Sequence, residues 1–259
     1  MKKIHFVFDK STQKAKNLSK LILKKYNNYS PKKSECIVVA GGDGFMLNVL
    51  KRYSKLKKPF YGINCGTFGF LMNKYVFNNL ESKLKRAKKI TINPIQLTTK
   101  SNNNSKKKLM AINEVSVFRQ SRQAASLRLS LGSKTIIKKL IGDGVLISTP
   151  AGSTAYNLSV HGPILSLDSG KLAVTPISPF RPRRWKGKII SNKLSVKVFN
   201  LNPSKRPVAA VADNVEIRNI KFLTVKIKKN IKINLLYDRN QTLNKRIKIE
   251  QFIKSTKKI

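Results

Sequence analysis

Gly41-Gly42-Asp43-Gly44 follows a run of β-branched residues, Ile37-Val38-Val39-Ala40, and precedes a segment from Phe45 to Tyr53 that can form a helix. Glycines at such a junction allow positive φ and let backbone N–H groups approach a phosphate without obstruction by Cβ. The helix N-terminus adds partial positive charge facing the same anion. An aspartate would repel that anion, so Asp43 needs its own chemistry. It can accept a proton from an attacking hydroxyl, or hold a Mg²⁺ that bridges phosphates. The tetrapeptide fits equally well a tight turn in which Asp43 caps the helix. Neither G-x-x-x-x-G-K-[ST] nor G-x-G-x-x-G occurs, so P-loop and dinucleotide-fold chemistry are not indicated.

Three further clusters carry polar chemistry. Gly62-Ile63-Asn64-Cys65-Gly66-Thr67-Phe68-Gly69-Phe70-Leu71 mixes small residues with aromatics, as the wall of a flat-ring pocket does, or as a structural turn does. Asn113-Glu114 sits in an otherwise apolar strand, Met110 to Phe118, where an amide and a carboxylate need partners if buried. They suit the two hydroxyls of a ribose; the alternative is a strand end with Glu114 in solvent. The longest cluster runs from Gly142-Asp143-Gly144 through Thr149-Pro150-Ala151-Gly152-Ser153-Thr154-Ala155-Tyr156-Asn157-Leu158-Ser159. Exposed N–H groups, hydroxyls and a tyrosine ring suit a nucleotide, with adenine stacking on Tyr156. Ser153 is not in a G-x-S-x-G elbow, which argues against a hydrolase. The two histidines and two cysteines are too dispersed for a zinc site.

The elements that must hold these residues fall into two halves. Over the first ~90 residues strand and helix signals alternate: Ile4 to Phe8, then Ala15, Leu18, Leu21, Ile22 and Tyr26 at helical spacing, then the buried run before Gly41. Pro59 to Asn64 reads as a further strand, and Val76, Phe77, Leu80, Leu84 and Ala87 mark another helix. That order predicts a small parallel α/β sheet. Later the period becomes two, as in Leu127 to Leu131, Leu194 to Val198 and Leu223 to Ile227, which predicts a mainly β domain. Ser101 to Ser105 reads as a turn between strands, and Leu243, Ile247, Phe252 and Ile253 as one face of a terminal helix.

Composition narrows the setting. A chain of 259 residues with 41% hydrophobic content buries one large or two modest cores. No stretch approaches the roughly 20 apolar residues of a membrane span, and the apolar run at the start stops at Asp9. Two cysteines are too few for a disulfide framework, so a cytoplasmic setting is expected. The net charge of +43 draws in polyanions such as nucleotides and polyphosphate. The lysines are scattered, with no basic tail and no stripe interleaved with aromatics, so they read as a solvated surface and no specific nucleic acid is expected.

Together these segments resemble the NAD kinase family over nearly the whole chain. The shared features are the GGDG loop, the N-x-G-x-x-GF segment from Asn64 to Phe70, the Asn113-Glu114 pair and the D-G…TP-x-G-[ST]-TAY-x-x-S stretch from Asp143 to Ser159. Pro176 to Trp185 further resembles a short bacterial branch. GGDG alone also occurs in lipid kinases of the diacylglycerol and sphingosine type, and the long stretch separates the two.

The resemblance implies a Rossmann-like α/β domain over 1–92, joined by 237–259 through a returning C-terminal helix, and a mainly β, NAD-binding domain over 93–236. It implies phosphoryl transfer from ATP or polyphosphate to the adenosine 2′-hydroxyl of NAD, with Mg²⁺ or another divalent cation accompanying the nucleotide and no tightly bound cofactor. Asp43 would be the catalytic carboxylate, with Gly41, Gly42 and Gly44 around the phosphates. Gly44 and Phe70 would flank the adenosine and Asn113 and Glu114 hold a ribose. Ala151, Thr154, Ala155, Tyr156, Asn157, Leu158 and Ser159 would line the NAD pocket.

Asp143 would contact NAD from a neighbouring subunit, making a homodimer or homotetramer. The eleven steps from Asp143 to Thr154 can span up to about 36 Å at ~3.3 Å per residue, so both ends need not serve one pocket. Cys65 stands where this branch commonly has Arg, and Val215 where many members have Gln. The competing readings are a lipid kinase, which needs an apolar channel, and a nucleotide sensor without turnover, which has little use for Asp43.

Overall fold

Cys36–Gly41 is buried at every position, as a strand covered on both faces must be. In the computed structural model, which describes residues 3–67, 69–75 and 79–239, it is β2, the second strand of a five-stranded sheet. β1 (Ile4–Phe8) and β3 (Pro59–Asn64) flank it, both parallel to it. α1 (Gln13–Lys25) and α2 (Asp43–Tyr53) are the crossovers that parallel pairing demands. α1 buries Ala15, Leu18 and Ile22, while Leu21, expected on the same face, is 50% exposed. α3 (Leu80–Arg86) buries Leu80 and Leu84; Ala87 lies past its end in extended conformation. Val76 and Phe77 lie outside the described residues.

The sheet is completed by β4 (Lys88–Ile92) and by β17 (Ile233–Tyr237), in the order β1-β2-β3-β17-β4. β17 runs parallel to β3 and antiparallel to β4. Ile233 to Leu236 fall within the 93–236 expected for the β domain but pair in this sheet, and INLLY alternates as the strands of the β domain do. Alternation shows that one face is buried, not in which sheet. The chain therefore divides into one unit holding residues up to Ile92 together with those from Ile231, and a second from Asn93 to Asn230. The predicted terminal helix lies outside the described residues.

The second unit is an antiparallel sandwich. One six-stranded sheet has the order β12-β11-β10-β7-β14-β15, built from Lys188–Ser191, Lys171–Ile177, Gly144–Ser148, Glu114–Arg119, Val208–Ala212 and Val215–Ile217. The other has the order β6-β5-β16-β13-β8-β9, built from Lys106–Ala111, Ile95–Ser101, Ile220–Ile227, Val196–Asn200, Ala125–Leu131 and Lys134–Gly142. Val115, Val117, Val145 and Ile147 of the first meet Leu97, Leu127, Leu129 and Leu223 of the second in one core. Leu194, expected within a strand, precedes β13 and is 41% exposed. No helix among the described residues is long and apolar enough to cross a membrane.

Candidate active site

In the first unit the two glycine segments meet at the carboxyl ends of β2 and β3. The Cys65 N–H donates to the Gly41 carbonyl at 2.8 Å, and a Cβ placed on Gly66 would lie 3.6 Å from the Gly42 Cα. None of Gly41, Gly42 and Gly44 adopts positive φ; Gly42 has φ −98°, so the left-handed turn expected there is absent. Gly41 is required by crowding, since a Cβ would fall 2.7 Å from a ring carbon of Phe45. At Gly42 and Gly44 a Cβ would meet nothing within 4 Å, which leaves open surface at the start of α2.

Asp43 is not the cap of α2. That position is Gly42, and Asp43 is the first helical residue. Its carboxylate instead accepts the N–H of Phe70 at 2.7 Å and of Leu71 at 3.1 Å. The close approach needs Gly69, where a Cβ would lie 2.9 Å from an Asp43 oxygen. Asn64 accepts the Gly66 N–H at 2.9 Å, tightening the same turn. Cys65 is 6% exposed, packed in the unit's core. Burial pushes its thiol up; the nearby Lys14 ammonium opposes this and Asp9 adds to it.

In the second unit, Asn113-Glu114 was expected inside one strand, but it lies where the chain leaves β6 in one sheet and enters β7 in the other. Asp213, in the turn between β14 and β15, holds that corner. Its carboxylate accepts the N–H groups of Ile112 and Asn113, both at 2.9 Å, and of Glu114 at 3.2 Å. Its own N–H returns a bond to the Glu114 carbonyl at 3.1 Å. Asn113 Oδ1 is buried and has no hydrogen-bond partner among the described residues.

The long stretch closes onto the same corner. The Thr149 N–H donates to the Asn113 carbonyl at 2.9 Å and the Thr149 hydroxyl to the Ile112 carbonyl at 2.7 Å. Gly152 sits so near that a Cβ would lie 2.3 Å from the Asn113 carbonyl oxygen. Ala151–Thr154 forms a single 3₁₀ turn, all buried, and Tyr156–Ser159 (α4) a short helix. The Tyr156 ring lies 5.7 Å from that of Phe118. Burial first, then the Asp143 and Glu114 carboxylates, push its hydroxyl above the ordinary value of 10.0. Asp143 thus bears on Tyr156 of the same chain, which lies within the upper limit of about 36 Å that full extension allows. Asp143 itself forms an ion pair with Arg119.

Two models match this chain: the ATP-NAD kinase N-terminal domain over residues 3–91 and the ATP-NAD kinase C-terminal domain over 112–243. The chain is 42% identical over 249 residues to an NAD kinase of Brucella melitensis biotype 1, covering 96% of each. The chain belongs to the NAD kinase family. Its fold is likewise similar to an Archaeoglobus fulgidus NAD kinase solved in complex with ATP, at TM-score 0.72, 21% identity, and 96% and 98% coverage of the two chains. A yeast NADH kinase complexed with NADH matches at TM-score 0.73 and 22% identity, covering 90% of this chain and 70% of that one.

Among the residues that resemblance to NAD kinases selects, Asn157 differs from its neighbours. It is fully buried. Its amide donates to the Pro163 carbonyl at 2.9 Å and the Ser153 carbonyl at 3.4 Å, while the Thr175 hydroxyl donates to its oxygen at 2.7 Å. This side chain fastens the turn from within. Thr154 and Ala151 are buried, Ala155, Tyr156 and Leu158 half-buried, and Ser159 exposed. Asp213 and Thr175 are organising residues to which sequence reasoning gave no role, and Thr149, quoted within its motif, was given none either. Thr175 left one signal, a lone hydroxyl in the apolar strand Leu172 to Ile177.

Proposed function

We propose that this chain transfers the γ-phosphoryl group of ATP to the adenosine 2′-hydroxyl of NAD, giving NADP and ADP. The observation that carries the reading is the seating of Gly152 on Asn113. It puts an amide–carboxylate pair beside a run of small hydroxyl residues and a tyrosine, a combination suited to an adenosine. Asn113 and Glu114 hold the ribose, and Thr154, Ala155 and Tyr156 receive the base. Gly44 and Phe70, in the first unit, are the further candidates for nucleotide contact. The open surface at Gly42 and Gly44 admits the donor phosphates, whose charge the N–H groups at the start of α2 offset.

Asp43 takes the 2′-hydroxyl proton as that oxygen bonds to the γ-phosphorus and the bond to the departing ADP oxygen breaks. A positioned general base of this kind contributes about 10²–10⁴ in rate. Its two backbone bonds fix where the carboxylate stands when the hydroxyl arrives. Magnesium or another divalent cation comes with the triphosphate and supplies charge neutralisation there. Among the described residues no three His, Cys, Asp or Glu gather as a separate metal site. Polyphosphate as an alternative donor, a homodimer or homotetramer in which Asp143 reaches a neighbour's NAD, and a cytoplasmic location belong to the same proposal.

The test incubates purified protein with NAD, Mg²⁺ and ATP and reads NADP with an NADP-specific dehydrogenase. NADP formation is expected. Binding of NAD without turnover would instead favour a sensor, and phosphorylation of diacylglycerol in its place a lipid kinase.

A further inference from the structure

The lysines are not spread evenly over the sheets. β1, β2 and β3 contain no Lys or Arg, and the sheet containing β7 carries Glu114 and Glu216 in its strands. In the sheet β6-β5-β16-β13-β8-β9 every strand carries Lys or Arg and none carries Asp or Glu. One face of this sheet faces the sandwich core through Leu97, Leu129, Val198 and Leu223. The intervening residues point the other way.

Strand register arranges that outer face into rows. Lys106, Lys100, Phe222, Phe199 and Arg128 are successive cross-strand partners over five strands. The next row runs Lys108, Thr98, Thr224, Lys197, Ser130. Phe199 and Phe222 lie with ring centroids 4.5 Å apart at 36°, and the Arg128 guanidinium covers Phe199 at 4.2 Å. Arg128 Nε is buried with no hydrogen-bond partner among the described residues, a donor that calls for an explanation. Lys106, Lys108 and Lys226 are exposed, and both phenylalanines half-exposed. The basic stripe interleaved with aromatics that the linear sequence lacks is assembled here from five separate segments.

We propose that this outer sheet face binds single-stranded nucleic acid without base preference. Flanking cations take the phosphates, and the Phe199–Phe222 pair offers a stacking platform to any base. Arg128, stacked on Phe199, adds positive charge beside the platform. A second copy of this chain is a poor occupant of this face, because pairing the face with itself would set its lysine rows against each other. The proposal stands apart from the kinase reading and uses none of its residues.

The test is fluorescence anisotropy with a labelled oligodeoxythymidine of about 16 nucleotides, the upper site size for a binding fold of this scale. A duplex of equal length and phosphatidylserine vesicles serve as competitors. Tighter binding of the single strand is expected at physiological salt. Phe199→Leu with Phe222→Leu should weaken it roughly tenfold, since stacking is lost. Lys106→Gln with Lys108→Gln should reduce the salt slope by about 0.7 for each lysine that contacts a phosphate. These two lysines are exposed, so that variant reports even if the leucine pair lowers stability. NADP formation should be unchanged in both. Equal affinity for duplex and single strand, with both variants behaving as the parent, would reduce the effect to bulk charge and overturn the proposal. So would vesicle binding without single-strand binding, which would make the face a membrane contact.

Discussion

The Asp43 carboxylate accepts the Phe70 N–H at 2.7 Å, and this bond joins the start of α2 to the loop that follows β3. A group proposed as catalytic base is therefore also a structural clamp, and the two roles must be separated by experiment.

Asp43→Asn keeps one acceptor oxygen but points an amide NH₂ toward a backbone N–H. We expect kcat to fall by about 10²–10⁴, with the KM for NAD nearly unchanged. Gly69→Ala retains the carboxylate yet places a Cβ 2.9 Å from it; kcat should fall there too, by displacement. Steady-state kinetics read beside thermal melts decide the matter: lost turnover with Tm kept in Asp43→Asn marks the base, and full activity there would refute it.

Asp213→Ala would strip three N–H groups of their acceptor at the Asn113-Glu114 corner. Unpaired donors at this half-buried corner cost up to about 1–3 kcal/mol each, so both stability and the placement of the ribose-binding pair should suffer. The KM for NAD should rise about tenfold or more while kcat changes less. Glu114→Ala should raise the KM similarly with a smaller loss of thermal stability. An Asp213→Ala protein with unchanged KM would make that carboxylate a fold element only.

Thr175→Val removes the hydroxyl that donates to buried Asn157, leaving an amide oxygen unsatisfied. The expected cost is about 1–3 kcal/mol, or a fall in Tm of roughly 2–12 °C for a chain of this size. Scanning calorimetry measures it. A Tm within experimental scatter would show that the amide finds another donor.

Tyr156 ionises above its ordinary value of 10.0 because it is buried and faces Asp143 and Glu114. Folding thus favours the neutral phenol. The stability it contributes is complete below pH 10 and is lost as pH rises from there toward the folded-state value. Tyr156→Phe should flatten the alkaline limb of the stability–pH curve, and an ultraviolet titration should lose one late-ionising tyrosine. Ionisation of that residue at or below pH 10 would contradict the placement.

Much of this architecture was legible because local patterns were clean. β2 announces itself as a continuous apolar run, and β16 alternates as half-buried strands do, while β8 alternates in sequence but buries Ser126 and Ser130 as well. Motif spacing located Asp43, Asn113, Glu114 and Tyr156, but not what each touches. Asp213 lies 99 residues from Glu114 in sequence, and nothing in an Asp-Asn turn signals that it will cap a distant corner. The basic–aromatic rows were invisible for the same reason. Cross-strand neighbours are set by register, which one-dimensional spacing does not encode. Leu21 shows the reverse error, an apolar residue at helical spacing that faces solvent.

The position of β17 has a consequence for how the protein is made. It is the last described strand, yet it fills the slot between β3 and β4, so this sheet cannot close until residue 237 has been synthesised. Asn73 bonds to the Leu236 carbonyl and the Asp238 N–H, both at 2.9 Å, so the loop whose N–H groups hold Asp43 also waits for that strand. Domains otherwise tend to fold N-terminal first during synthesis. Here the intervening sandwich can finish beforehand, and the loop that clamps the proposed catalytic carboxylate is tied down only after the sandwich has been synthesised.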